Sequence, residues 1–361
     1  MAHLDPQTRI ADLDEVALLE HLFPHLPVND LIITPPGDDA AVMAAPDGAY
    51  VITSDMMIGE ADWLSQWSSA YEVGQRLAAQ NLADIAAMGA YPSGVVLSFA
   101  FPPQTTLAWV DELYRGISER CAQAGAAIIG GDLSGGKQII LNATVTGDLR
   151  GETAVTRSGA RPGDLICLAG TLGRSGAGLD LCHAGYAHQE ARNQLPEGTR
   201  AVVEVCVSIF KAARPPLEAG PAAARAGAHA MLDVSDGLGK DLRRILRASS
   251  QSSGQTLAAR LETKALTPFV NFLAPAGELI GVDPWQWVMA GGEDHPLLAV
   301  FSDSAKVPED FRPIGRIIEA EAQLADSKPA IYLDDQLYEG VGGWDHYGES
   351  EKVHSMTRSC E

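Results

Sequence analysis

The sequence predicts a two-domain protein of mixed α/β (α+β) class, and three observations carry that expectation. Short apolar runs of strand length alternate with amphipathic helix patterns along the chain. Several of those apolar runs lead into a small residue or glycine and then an aspartate. One break, marked by Arg150-Gly151 and Arg161-Pro162-Gly163-Asp164, divides the 361 residues into domains 1–149 and 150–347, with a polar tail over 348–361.

Taken in order, Asp12 to Phe23 has the apolar spacing of an amphipathic helix (Leu13, Val16, Leu19, Leu22, Phe23). Leu31 to Thr34 is a short strand, followed by Pro35-Pro36-Gly37 and Asp38-Asp39. Ala49 to Thr53 is a second strand that runs into Ser54-Asp55. The clearest helix spans Ser69 to Gly89. Ser69 and Glu72 form a capping box, and Gly89 supplies a left-handed stop. At about 100° per residue, Val73, Leu77, Ile85 and Met88 make one apolar stripe, which leaves Glu72, Gln75 and Arg76 on a wet face. A strand over Gly94–Phe101 and a helix from about Thr106 to Ala124 follow. Ala126 to Ile129 is a buried strand ending in Gly130-Gly131-Asp132. Lys137 to Thr146 alternates, with Ile139, Leu141, Ala143 and Val145 on one face.

Beyond the break, Leu165–Ala169 is a strand that enters a helix through the glycine-rich turn GTLGRSGAG. Ala187 to Thr199 is polar and reads as a loop or an irregular helix. Ala230–Val234 is a strand running into Ser235-Asp236-Gly237, and the next helix carries Leu238, Leu242, Ile245 and Leu246. Ser249–Gly254 reads as a loop. Gly291-Gly292-Glu293-Asp294 then precedes a strand over Pro296–Phe301.

Composition excludes several classes. A net charge of −21 repels nucleic acid and anionic membranes, so neither is an expected partner. No apolar run reaches membrane-spanning length, and the N-terminus lacks the basic and apolar regions of a secretory signal. Five cysteines without C-x-x-C spacing support neither a disulfide framework nor a thiolate zinc site. A cytoplasmic protein is expected.

The chemistry is acidic. Asp84 falls inside the apolar stripe of its helix, with Asn81 beside it. A carboxylate buried alone is too costly to keep, so Asp84 requires a cation, a metal or a proton. The competing reading is a helix end less buried than the stripe suggests. Each aspartate after an apolar run is, by itself, an ordinary turn or cap residue. Together, Asp38-Asp39, Asp55, Asp132, Asp233 with Asp236, and Glu293-Asp294 form a hard-oxygen set, with the Thr53, Ser54 and Ser235 hydroxyls nearby. Such ligands suit Mg²⁺, which bridges carboxylates to substrate phosphates. Magnesium would also let so acidic a chain accept an anionic nucleotide. A P-loop motif is absent. GTLGRSGAG could cradle phosphate at its helix start, or its glycines could serve close packing.

The segments GDDAAV (37–42), TSD (53–55), QNLADIAAMGA (80–90), IGGD (129–132), VTRSGARPGD (155–164), LDVSDGL (232–238), GGED (291–294) and GWDHY (343–347) resemble thiamine-monophosphate kinase. That family belongs to the aminoimidazole-ribonucleotide-synthetase-like superfamily, and the resemblance covers nearly the whole chain in the same order. It implies a two-domain fold whose N-terminal domain contributes strands to a barrel shared in a homodimer. It implies direct transfer of the ATP γ-phosphoryl group to thiamine monophosphate, giving thiamine diphosphate, with several Mg²⁺ ions and no phosphoenzyme. By motif position, Asp39, Thr53, Ser54, Asp55, Asp84, Asp132, Asp233 and Asp236 would be metal ligands. Gly131, Asp132, Arg157, Ser235 and Tyr114 would bind ATP. Glu293 and Trp344 would contact thiamine.

Two departures fall on the acceptor side. The family follows its T-[ST]-D segment with glycine-x-histidine-aromatic, whereas MMIGEADW here puts Asp62 at the substrate-touching histidine position. GGEDYELL of the family reads GGEDHPLL, with His295 and Pro296 in place of tyrosine and glutamate. Two alternatives follow: a different phosphomonoester acceptor, or a non-catalytic nucleotide-binding dimeric homologue.

Overall fold

The computed structural model describes residues 7–9, 21–34, 42–320, 329–340 and 343. The helix expected over Asp12–Phe23 lies almost wholly outside them, as do Asp38-Asp39, Trp344 and the polar tail. The described residues form two compact units. The first runs to Ile85 and resumes over Tyr91–Arg150, while the second takes Ala86–Ala90 and continues from Gly151.

In the first unit, β1 (Ile32–Thr34) pairs with β2 (Val42–Met43). A separate four-stranded sheet is built from β3 (Val51–Ile58), β4 (Tyr91–Phe101), β5 (Ala127–Gly135) and β6 (Ile140–Asp148), in the order β3-β6-β4-β5. Helices α1 (Ala70–Ala87) and α2 (Leu107–Gln123) cover one face. On that face, Phe99 meets Tyr114 and Phe101 meets Trp109 edge-on. The expected alternation of β6 holds, with Leu141, Ala143 and Val145 buried.

The ends of α1 follow from local chemistry. Glu72 accepts from the Ser69 backbone N–H at 2.8 Å, and Ser69 Oγ accepts from Glu72 N–H at 3.3 Å. Gly89 closes the helix at φ 78°. Its expected wet face, however, is not wet: Gln75 and Arg76 are buried. The reason is α2. A Cβ on Gly74 would stand 2.2 Å from Leu113 O, and one on Gly116 would stand 2.2 Å from Tyr71 O, so glycines let the two helices meet closely. Gln75 Nε2 then donates to Gly116 O at 2.6 Å.

The strands are also longer than expected. β3 pairs with β6 from Val51↔Gly147 to Ile58↔Ile140, which places Ser54 and Asp55, like Thr53, inside the strand rather than after it. Asp132 likewise lies inside β5.

The second unit holds a seven-stranded sheet in the order β13-β12-β9-β11-β7-β10-β8. Its elements begin with β7 (Leu165–Ala169) and α3 (Arg174–Leu181), a π-turn segment at Cys182–Tyr186, α4 (Gln189–Arg192), α5 (Glu197–Lys211) and α6 (Ala219–Arg225). Then come β8 (Ala230–Asp233), α7 (Leu238–Ser253), β9 (Leu257–Leu261), α8 (Thr263–Ile280) and α9 (Pro284–Ala290). The last described strands are β10 (Leu297–Phe301), β11 (Arg312–Glu319), β12 (Ile331–Leu333) and β13 (Gln336–Leu337). All its strand pairs are antiparallel except β12 with β9. A core of Cys167, Ala169, Met231, Leu297, Ala299, Phe301 and Phe311 lies against the sheet and also takes in Ala86 and Ala87. The loop expected over Ser249–Gly254 is instead the last turn of α7. That helix continues because Ser249 keeps the inward phase of Leu238, Leu242 and Ile245, and Gly254 at φ 72° stops it.

Candidate functional site

The two units each carry part of the predicted site. In the first, the pleat of β3 sorts the residues by face. Thr53 and Asp55 turn toward α1: Thr53 Oγ1 donates to Asp84 Oδ2 at 2.8 Å, and Asp55 N–H donates to Asn81 Oδ1 at 3.0 Å. β3 is an edge strand, so Asn81 satisfies a backbone donor that no neighbouring strand reaches. Asn81 Nδ2 in turn donates to Leu77 O at 2.9 Å, fixing the amide on its own helix. Asp84 is half-buried, and its stripe position is answered by the Thr53 hydroxyl.

Ser54 faces the other way. Its hydroxyl meets Thr144 Oγ1 at 2.9 Å and accepts from Asn142 Nδ2 at 3.0 Å. Asp132 pairs across the ladder with Ser98, and both are exposed. Gly131 precedes it where a Cβ would lie 2.1 Å from Leu97 O. The structure therefore brings Thr53, Asp55 and Asp84 to the helix-covered face and leaves the Ser54 side chain on the open one. Tyr114 is buried in α2 with its ring against Phe99, and burial pushes its phenol above the ordinary range. Asp62 ends the β3 turn, where its Oδ2 accepts from Ile58 N–H at 2.7 Å.

In the second unit, antiparallel pairing of β10 with β8 sets Leu297 opposite Asp233 and joins the two loops that leave them. Val234 N–H donates to Pro296 O at 2.8 Å, and Glu293 N–H donates to Ser235 O at 2.9 Å. Asp233, Ser235, Asp236, Glu293 and His295 are thereby gathered. His295 is buried, with Nδ1 2.9 Å from Asp233 Oδ2 and Nε2 3.9 Å from Glu293 Oε2. Burial opposes charge on this ring, but the two carboxylates outweigh it and hold the imidazolium well above its usual range. Asp236 is paired with Arg244 and with Lys240 at 3.2 Å. Asp241, fully buried, accepts from the Asp236 and Gly237 N–H groups at 2.9 and 3.1 Å and also binds Arg244. Its desolvation raises the carboxyl to about 6. Gly343 leaves no room for a side chain beside Asp236, since a Cβ there would stand 2.1 Å from Asp236 O. Arg157 is exposed on the segment that leads into β7.

The glycine-rich turn before α3 is already filled. Asp294 accepts from Thr171 Oγ1 at 2.9 Å and from the Arg174 and Ser175 N–H groups at 3.2 and 2.8 Å. The helix start that could have held a phosphate thus holds a carboxylate of the chain itself. Packing explains the glycines: a Cβ on Gly178 would lie 2.2 Å from Cys206 O.

As a metal site, the helix-facing side of β3 offers only oxygen donors, two carboxylates and a hydroxyl, which fits Mg²⁺. Among the described residues no three Asp, Glu, His or Cys side chains converge to hold an ion unaided. Among the described residues no helix is long and apolar enough to cross a membrane.

Comparison with known proteins gives the lineage. The family described as AIR synthase related protein, N-terminal domain, matches residues 37–149. Thiamine-monophosphate kinase of Mycobacterium tuberculosis is 35% identical over 350 residues, 96% of this chain and 96% of that one. The chain belongs to the thiamine-monophosphate kinase family. The thiamine-monophosphate kinase from Stenotrophomonas maltophilia K279a superposes with TM-score 0.73 at 27% identity, covering 90% of this chain and 98% of that one. AaThiL complexed with AMPPCP and TMP shares the fold, with TM-score 0.70 at 23% identity over 94% of this chain and 99% of that one. The expected aminoimidazole-ribonucleotide-synthetase-like α/β architecture is thus the observed one.

Sequence reasoning leaves out Asn142, Lys240, Asp241, Arg244 and Ser249, which contact the predicted residues or their backbone. The signal for two of them is present: Lys240 and Arg244 follow the predicted Asp236 at four-residue spacing, one helical turn apart.

Proposed function

We propose that this chain transfers the γ-phosphoryl group of ATP to the phosphate of thiamine monophosphate, yielding thiamine diphosphate and ADP. The observation that carries the reading is 35% identity across 96% of a thiamine-monophosphate kinase. The oxygen-only cluster of Thr53, Asp55 and Asp84 supports it, because an acceptor that is itself a phosphate is already ionised at neutral pH. Such a nucleophile needs no strong base, so the work reduces to in-line placement and charge neutralisation.

Thr53, Asp55 and Asp84, with Asp39, would hold Mg²⁺; Ser54, Asp132, Asp233 and Asp236 would serve further ions. When bound, magnesium neutralises phosphate oxygens that a chain of charge −21 otherwise repels. Arg157 would add a guanidinium to the ATP phosphates, with Gly131, Asp132 and Ser235 lining the nucleotide and Tyr114 behind them. Glu293, Trp344 and Asp62 would face the thiamine moiety, whose thiazolium cation suits carboxylates. The first unit would provide ATP and metal binding, and its open sheet face would meet a second copy in a cytoplasmic homodimer. Ile52 and Met56, exposed on that face, support this assembly.

The test is a steady-state assay with Mg-ATP and thiamine monophosphate, following thiamine diphosphate by chromatography. No product at saturating substrate sinks the reading. A second reading keeps the ATP half and changes the phosphomonoester. It is favoured by Asp62, which is engaged by its own turn, and by His295 between Asp233 and Glu293. It loses if thiamine monophosphate turns over well and Asp62→His gains little.

A further inference from the structure

Ser249 is 1% exposed near the end of α7, and its hydroxyl is committed to one segment of chain. It accepts from Gly159 N–H at 3.2 Å and from Ala160 N–H at 3.1 Å, and it donates to Arg157 O at 3.3 Å. A hydroxyl has one proton and two lone pairs, so these three bonds use its full capacity. The segment it holds is neither helix nor strand. Its flanks are anchored separately. Met231 N–H donates to Thr156 O at 2.9 Å, and Arg161 N–H donates to Asp164 Oδ2 at 2.8 Å, the oxygen that also meets His229 Nδ1 at 2.8 Å. Between those flanks, Thr156 Oγ1 meets Ser158 locally, its N–H at 3.4 Å and its Oγ at 3.0 Å, while Ser249 holds the backbone of Arg157, Gly159 and Ala160 from outside the segment. Gly159, at φ 128°, packs where a Cβ would lie 2.3 Å from His229 O, so the backbone path beside Arg157 is tightly confined.

We infer that Ser249 is a positioning residue for Arg157, holding the backbone from which the guanidinium meets the ATP phosphates. The inference rests on the reading that Arg157 binds ATP. Its chemistry is indirect: the hydroxyl touches no substrate, and it limits the orientations open to a long, exposed side chain.

The test uses the full chain and four variants. Ser249→Ala should raise the ATP KM by about tenfold, the size expected for losing a buried hydrogen-bond acceptor, and leave the thiamine monophosphate KM unchanged. Amide exchange at Gly159 and Ala160 should quicken by a similar factor, and Ser249→Thr, which keeps the hydroxyl, should restore both. Arg157→Ala should raise the ATP KM by itself, and Ser249→Ala added to it should change that KM by less than about twofold. Where circular dichroism shows that Ser249→Ala does not fold, Ser249→Cys, of similar volume and a far poorer acceptor, is read in its place. Multiplying effects of the two substitutions, or an unchanged ATP KM in Ser249→Ala beside a raised one in Arg157→Ala, overturns the inference and leaves Arg157 in place. An unchanged ATP KM in Arg157→Ala overturns the role of Arg157 itself, and the inference with it.

Discussion

Thr53 and Asp84 meet between the edge strand β3 and helix α1, the threonine hydroxyl donating to the carboxylate at 2.8 Å. The bond spends the hydroxyl's proton on the carboxylate, so the pair presents lone pairs outward, as a cation requires. Asp84→Asn should cut kcat by about 100-fold, with Thr53→Val costing about tenfold. Folding stability of Asp84→Asn should stay within about 1 kcal/mol in urea titrations. A full rate from Asp84→Asn would remove Asp84 from the metal set.

His295 bridges two acidic groups in a buried place. Replacing it by leucine leaves the buried Asp233 carboxylate without its imidazolium, and breaking such a pair costs about 3–5 kcal/mol. Denaturant unfolding of His295→Leu should show a loss of that order. A stability equal to the parent would mean that Asp233 finds another partner at no cost.

Asp294 makes stability depend on pH with a defined sign. Burial is the main cause that raises its carboxyl from 3.8 to about 6, and the Ser175, Thr171 and Arg174 donors only partly oppose it. Between those values the folded state holds the extra proton. Its contribution to stability is therefore full below about pH 4 and lost as the pH rises through about 6. Asp294→Asn removes the titration and sets an amide N–H against donors, at a cost of about 1–3 kcal/mol. The stability gap between parent and variant should shrink from pH 4 to pH 7 in chemical denaturation; a gap that widens refutes the assignment.

Gly178 tests the glycine-rich turn. An added methyl would enter the space of Cys206 O and Phe210 Cβ, at 2.2 and 2.6 Å. Gly178→Ala should destabilise by about 1–3 kcal/mol while the ATP KM of the folded protein stays unchanged. A raised KM at unchanged stability would return this turn to phosphate binding.

Features set by near neighbours are legible in the sequence. The Ser69–Glu72 box, the Gly89 stop and the alternation of Leu141, Ala143 and Val145 depend on residues a few positions apart, and sequence spacing records those. Gln75 and Arg76 mislead because a helix's own periodicity cannot register a second helix closing on its polar side through Gly74 and Gly116. Ser249 is hidden in a serine-rich stretch that resembles a loop, although it continues the inward phase of Leu238, Leu242 and Ile245. Asp294 carries no signal beyond its motif, because its partners at Thr171 and Ser175 are distant along the chain. The two-domain α/β class is legible throughout, since it rests on the number and order of elements rather than on their ends.

The pleat of β3 has a consequence for how this protein tolerates change. Thr53 and Ser54 are neighbours in sequence but serve opposite sides of one sheet, and eight consecutive pairings with β6 hold that assignment. Deleting or inserting one residue within the strand would turn Thr53 and Asp55 outward and Ser54 inward, exchanging two surfaces at once. Point substitutions on one side leave the other untouched. A change in the length of β3 is therefore costlier than a substitution at one of its positions that holds no ligand.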